Sequence, residues 1–427
     1  MHKDLNPIGN ARYINKMNKI KIINLIRNNE GISRADLSKK TGLSAPTVSR
    51  IVENLINEDL VNEIGEGESH GGRRPTLLKF SDYNNFIIGI DLGTTNIHGL
   101  LSDFNAKIIA EVKKPTYVEQ GFKIIMERTA DIIDELRNHP AAKGKRIYGI
   151  GMAVAGLINR EKNIVEFSPD FHWHEVDVVG TLSQKHNDIP IIFDNVTRVM
   201  ALGEMCYGLG KEFKNLIFVN VGYGIGAGII INGKPLYGPL GMAGEFGHIT
   251  LEKNSPIQCD CGNFGCLEAL ASGNAIAKAA QRELKAKAES VLLDICQGDI
   301  SKISAELVAN AAKQGDSFAW NIFDKAMEYL GLGIAALINL FSPEVVVIGG
   351  GVAQAGDILF DKVRKTVNSR SLNKISSEVI IKPATFGMKA AVMGAISLIL
   401  SEVLNFHLLD ENNEERRKNG ISNVSVQ

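Results

Sequence analysis

Apolar residues near the start of the chain recur at helical spacing. Ile20, Ile23, Leu25 and Ile26 give one face of a helix over about residues 14–28. Ser33 and Asp36 have capping-box spacing for a second helix that carries Ala35 and Leu37, and Gly42 ends it. Ser44 is placed to cap a third helix, with Pro46 in its first turn. Val48, Ile51, Val52, Leu55 and Ile56 form the buried stripe of that helix. Thr47, Ser49, Arg50, Asn54 and Asn57 face away from it. The period then shortens, and Leu60–Ile64 and Thr76–Phe80 read as two strands around the glycine-rich tip GEGESHGGRRP. Helix, glycine turn, helix and hairpin predict a winged helix-turn-helix over residues 1–83. Its expected DNA contacts are Ser44, Thr47, Ser49 and Arg50 on the third helix and Arg73 and Arg74 on the wing. A small protein-binding helical domain is the other use of such a unit.

A second domain starts near Phe86. FIIGIDLGTTNIHGLLSD reads as strand, glycine turn and strand, and AKIIAEVKK adds a third strand. A helix over about 121–137 precedes the strands IYGIGMAVAG and IPIIFD. NLIFVNVGYGIGAGIIING repeats the strand, glycine turn, strand pattern, so the fold is expected to be an α/β duplication closing around a cleft. Helices fill about 267–340, and EVVVIGGGVAQ is a further buried strand ending in glycines. The tail 410–427 is polar and expected to fray.

The 427 residues exceed one hydrophobic core, and 44% hydrophobic with 22% charged residues excludes disorder for the bulk of the chain. A net charge of −1 hides a basic end: residues 1–50 carry ten Lys and Arg against three acids. That asymmetry agrees with a nucleic-acid partner. No apolar run has the length of a membrane span, and the N-terminus has no apolar signal core, so a cytoplasmic protein without membrane contact is expected.

Five cysteines are too few, and odd in number, for a disulfide framework. Three of them, Cys259, Cys261 and Cys266, follow His248 closely. Three thiolates and one imidazole close a tetrahedral shell, which predicts structural zinc with no position open for catalysis. Their loop is rich in Gly, Asp and Asn, so burial of the three thiols is not expected there. Cys206 and Cys296 fall on predicted helices and are expected in the core.

LSKKTGLSAPTVSRIVENLINEDLV, GGRRP, DLGTTN, GYGIGAG, GEFGH, CDCGNFGCLE and VIGGGV occur in this order and together resemble the ROK family over about residues 12–400. The resemblance is to its repressors of the xylose-repressor and N-acetylglucosamine-repressor type. It implies a two-lobed, actin-like (ribonuclease H-like) body after the winged helix, with one lobe of 84–200 plus about 385–409 and another of 201–384. It also implies operator DNA and a small-molecule sugar effector as partners. A homodimer is expected, with a tetramer as the alternative.

The resemblance assigns sugar contacts to Asn195, Glu245, His248 and Glu268, with His248 also a zinc ligand. Kinases of the family carry a catalytic Asp in the motif E-N-D-x-N-x-x-A-x-G-E. Aligned on Ala201, Gly203 and Glu204, that Asp falls on Val196, which cannot accept a proton. No catalytic residue is therefore expected, unless the register places Asp194 as the base. Asp91, Gly93 and Thr94 keep a first phosphate turn, and Gly222, Gly224 and Gly226 a second one, where Tyr223 would crowd a γ-phosphate. Gly350 lies in an adenosine-side turn. These turns are expected to persist as positive-φ hinges without ATP. The sequence thus predicts a sugar-responsive repressor of carbohydrate genes with a silent kinase body. The alternative is a bifunctional ATP-dependent sugar kinase with a DNA-binding head.

Overall fold

A computed structural model describes residues 7–29, 31–67, 74–81, 85–286 and 288–401. Arg73 and the polar tail lie outside the described residues. The head contains α1 (Pro7–Asn28), β1 (Ile32–Ser33), α2 (Arg34–Thr41), α3 (Ala45–Asn57), β2 (Val61–Glu66) and β3 (Thr76–Phe80). α1 starts before the expected residue 14, because its first turns carry no apolar stripe to betray them. The capping box of α2 forms, and Gly42 closes the helix at φ 76°. Ser44 departs from expectation. It stands at the N-cap of α3 but caps no backbone N–H; its hydroxyl lies 2.9 Å from Thr47 Oγ1 instead. β1, too short for a periodic signal, adds a third strand, in the order β1-β3-β2.

The body contains two five-stranded sheets of the same plan. In the first, β4 (Asn85–Leu92), β5 (Asn96–Asp103) and β6 (Ile108–Pro115) run antiparallel, while β7 (Arg146–Val154) and β11 (Ile191–Asn195) extend β4 in parallel. β4 and β7 are continuous apolar runs covered on both faces, as parallel central strands must be. α4 (Gly121–Arg137) covers one face. Between β7 and β11 lie β8 (Leu157–Asn159), β9 (Ile164–Ser168), β10 (Trp173–Val176) and α5 (Val178–Ser183). These three strands form a small antiparallel sheet that the pattern did not announce.

After α6 (Val196–Tyr207), the second sheet has the order β14-β13-β12-β15-β16, from β12 (Leu216–Val221), β13 (Ile225–Ile231), β14 (Lys234–Pro235), β15 (Val345–Gly349) and β16 (Ile380–Pro383). Around it are α7 (Leu267–Ala271), α8 (Gly273–Lys285), α9 (Leu292–Ile295), α10 (Ala305–Lys313), α11 (Ser317–Phe341), α12 (Asp357–Arg370) and α13 (Asn373–Ser376). Cys296, just past α9, is buried. Cys206 on α6 is only partly so, contrary to expectation.

A final helix at 390–401 packs against both the first sheet and α6. Glycines let the backbones approach: a Cβ on Gly151 would meet Ala395 O at 1.9 Å, and one on Gly394 would meet Val199 O at 2.1 Å. The head is not tethered loosely to this layer. Ile22, Val52, Leu55 and Leu78 of the head share one buried cluster with Leu100, Phe104, Tyr148, Met393 and Ile396 of the body.

Candidate functional site

The face of α3 turned away from the core carries the predicted DNA contacts. Ser44 and Arg50 are exposed, and Thr47 and Ser49 are half-buried. Arg50 donates to Asn15 Oδ1 at 3.3 Å, which props its guanidinium against α1. Arg74 is exposed at the base of the wing. Arg34 pairs with Glu63 at 2.8 Å, tying α2 to that hairpin.

In the body, a cavity of about 1390 Å³ opens between the lobes. Asn195, Val196, Glu245, His248 and Glu268 all line it, together with Thr94, Tyr223, Gly224 and Gly226. Asn195 is the N-cap of α6, its Oδ1 accepting from Thr197 N at 3.0 Å. Val196, the first helical residue, therefore sits beside the Asn195 amide at the mouth of α6. Glu245 opens onto the cleft. Packing there raises its carboxyl above the usual range, Glu268 adding to the effect and His248 and Arg198 opposing it. Glu268 accepts from Ile225 N at 2.8 Å and so holds the second glycine turn as well as facing the cavity.

Asp194 is already engaged. It is 1% exposed, accepts from Arg198 Nε at 3.0 Å and from Asn195 N at 2.7 Å, and has Arg160 at 3.9 Å. Held by Arg198, Arg160 and the Asn195 N–H, this carboxylate is not free to swing to a substrate hydroxyl. Arg198 and Arg160 both lie over the Tyr237 ring, at 4.9 and 5.1 Å, so the pair is braced from the second lobe.

The glycine turns differ from expectation. Only Gly350 has positive φ, at 92°; Gly93, Gly222, Gly224 and Gly226 do not. The second turn needs glycine for close approach: a Cβ on Gly224 would lie 2.4 Å from Glu268 Oε2, and one on Gly226 would lie 2.7 Å from Thr197 Oγ1. Tyr223 is 64% exposed and stands in the cleft. Burial of the Asp91 carboxyl pushes it up to about 7, with Lys113 opposing.

Sequence reasoning missed the wall supplied by the small sheet. Phe167 on β9, His174 on β10, and Asp170 and His172 in the turn between them line the cavity. The Phe167 and His174 rings lie 4.9 Å apart. Asp170 is raised by burial and by Glu268 and Asp260. The signal that could have revealed the start of this sheet was the polar turn of residues 160–163, which joins β8 to β9.

His248, Cys259, Cys261 and Cys266 bring their ligand atoms within 4.8 Å of one another. Cys259 Sγ lies 3.7 Å from His248 Nδ1, and Cys261 Sγ lies 3.8 Å from Cys266 Sγ. Tetrahedral ligands about 2.3 Å from a zinc ion sit roughly 3.8 Å apart, so the spacing fits the metal. Contrary to expectation, Cys259 and Cys266 are buried, and only Cys261 is exposed. Burial pushes the Cys259 thiol up to about 12 and raises Cys266 too. A divalent cation held there would favour the thiolate form that burial alone disfavours. Backbone bonds shape the loop: Cys259 N donates to Asn263 O, and Leu267 N to Ile249 O.

The ROK family profile matches residues 87–402. The chain belongs to the ROK family. A winged helix-turn-helix DNA-binding profile matches residues 18–62 ahead of the ROK body. The xylose repressor of Caldicellulosiruptor bescii is 34% identical over 399 residues, covering 93% of this chain and 99% of that protein. The glucokinase of Thermotoga maritima is 35% identical over 321 residues, but covers only 74% of this chain. A crystal structure of a ROK transcriptional regulator, a homologue of E. coli MLC, superposes with a TM-score of 0.81 at 28% identity and covers 93% of this chain and 98% of that one. The glucokinase match thus spans 74% of the chain, and the xylose-repressor and regulator matches 93% of it. Among the described residues, no helix is long and apolar enough to cross a membrane.

Proposed function

We infer that this protein is a sugar-responsive, DNA-binding transcriptional repressor of carbohydrate genes. Its ROK body senses a sugar without phosphorylating it. What supports the silent body is Val196, which falls where the family's kinases carry their catalytic Asp and lines the cleft beside Asn195. An aliphatic side chain accepts no proton, and Asp194 is spent on Arg198 and the Asn195 backbone.

Asn195, Glu245, His248 and Glu268 are proposed to bind the sugar, since carboxylate and amide groups can each take more than one hydroxyl. His248, Cys259, Cys261 and Cys266 are proposed to hold a structural zinc ion. Such an ion fixes the loop that presents Glu245 and His248. Ser44, Thr47, Ser49, Arg50 and the wing arginines 73 and 74 are proposed to meet operator DNA. A dimer would present two heads to a palindromic site.

The name of the C. bescii relative makes xylose the first sugar to try, ahead of glucose and N-acetylglucosamine. A coupled ATP-consumption assay over this panel tests the silent body. No sugar-dependent ADP release is expected, while a thermal shift with one sugar is. Robust turnover by the unmodified protein would overturn the reading and make it a kinase with a DNA-binding head.

A further inference from the structure

Two stiff elements run from the cleft to the DNA-binding head, and one side chain joins them at the cleft end. β7 ends at Val154, which leads into the cavity-lining residues Ala155 and Gly156. Near its other end, the Tyr148 hydroxyl donates to Glu58 O at 2.7 Å. Glu58 is the C-cap of α3, the helix turned to DNA. α6 starts at Asn195 in the cleft and ends at Tyr207. The Tyr207 hydroxyl donates to Phe104 O at 3.0 Å and accepts from Arg27 on α1, also at 3.0 Å. Six strand residues span about 20 Å and twelve helical residues about 18 Å, so the two struts are of similar length.

At the cleft the struts meet in Asn195. Its Oδ1 accepts from Thr197 N at 3.0 Å and Arg198 N at 3.4 Å, which caps α6. Its Nδ2 donates to Gly156 O at 3.0 Å, which holds the segment following β7. We propose that Asn195, Tyr148 and Tyr207 form a relay in which a ligand contact at Asn195 moves β7 and α6 together and reorients the head through Glu58 and Arg27. This rests on the reading of Asn195 as a sugar contact. A hydroxyl that engages the amide competes with bonds that hold both struts, and both ends feel it.

The far ends are built to receive such a movement. Burial raises both phenols, Tyr148 to about 12, so their hydroxyls stay protonated and remain donors. Phe80 of the head and Phe104 and Tyr148 of the body pack ring to ring at 5.4 and 5.1 Å. The glycine contacts between the 390–401 helix, β7 and α6 leave little slack along the way. Coupling through packed elements of this kind is a free energy shared between two sites.

Hydrogen exchange on the full chain tests the relay without a known sugar or operator. Asn195→Ala should speed exchange of the amides at 24–29 and 55–60 by about tenfold. In a Tyr148→Phe, Tyr207→Phe background the same change should add less than about twofold at those amides. Asn195→Ser, which keeps a capping oxygen and loses the Gly156 bond, should fall between and covers the case in which the alanine variant does not fold. Head amides unmoved by either Asn195 variant, while those at 196–200 speed up, would overturn the proposal. Xylose, glucose and N-acetylglucosamine are added as separate arms. A panel that protects no cleft amide would count against the sugar reading, whereas the Asn195 variants judge the relay.

Discussion

At the residue scale, Asp91 and Val196 carry opposite lessons. Asp91 stands in the first glycine turn, where burial pushes its carboxyl up to about 7. A carboxyl raised in the folded state favours folding while protonated. That advantage is complete below the unfolded value near 4 and is lost as pH rises through about 7. Asp91→Asn should therefore stabilise the protein by about 1–3 kcal/mol near pH 8, and the gain should shrink toward pH 4, as read by thermal melts across that range. An equal effect at both ends would show that the charge is not the cause. Val196 was legible in the sequence, because an aliphatic residue at the proposed catalytic position accepts no proton. Restoring a base is a harder matter. A general base contributes on the order of 10²–10⁴-fold, but Tyr223 still stands in the cleft. Val196→Asp should restore little ATP-dependent sugar phosphorylation, and Val196→Asp with Tyr223→Thr more, measured as sugar phosphate formed.

At the scale of elements, the long periodic pieces were readable and the short ones were not. The stripe of α3 and the buried runs of β4 and β7 announce themselves, since burial on a fixed face leaves a fixed period. β8 and β10 are three and four residues long, too short for any period to stand out. The wall they build, with Asp170 and His172, was therefore easily missed, although it lines the same cavity as Asn195, Glu245 and Glu268. The glycine turns were found for an incomplete reason. Their spacing was evident, but that Gly224 yields to Glu268 rather than to a positive φ depends on a partner 44 residues away. The loop that could hold a metal was legible because ligand spacing is local. Cys259→Ser should lower the zinc-to-protein ratio by elemental analysis and abolish any sugar-induced thermal shift. The head, whose core shares no residue with that loop, should keep its operator affinity. For the head itself, Arg50→Ala should weaken operator binding by about 1–3 kcal/mol. Arg74→Ala should reduce the salt slope of binding by about one, both read by anisotropy titrations at several salt concentrations.

At the scale of the molecule, the packed junction of head and body gives the repressor reading its mechanical sense. A head joined by a loose linker would bind DNA regardless of what fills the cleft. Here the head's core continues into the first lobe, and polar contacts fasten it further, including Asn85 Nδ2 to Asp59 O at 2.8 Å. A sugar can shift such an assembly only by its differential affinity for two arrangements, typically 5- to 150-fold in the linked equilibrium. The most direct test is an anisotropy titration of the full chain onto an operator selected from random-sequence DNA, with and without each sugar of the panel. The account predicts tight binding, with Kd on the order of 10 nM, that shifts at least about fivefold with one sugar and requires no ATP. Operator binding that stays the same with every sugar, or shifts only while ATP is consumed, would contradict it.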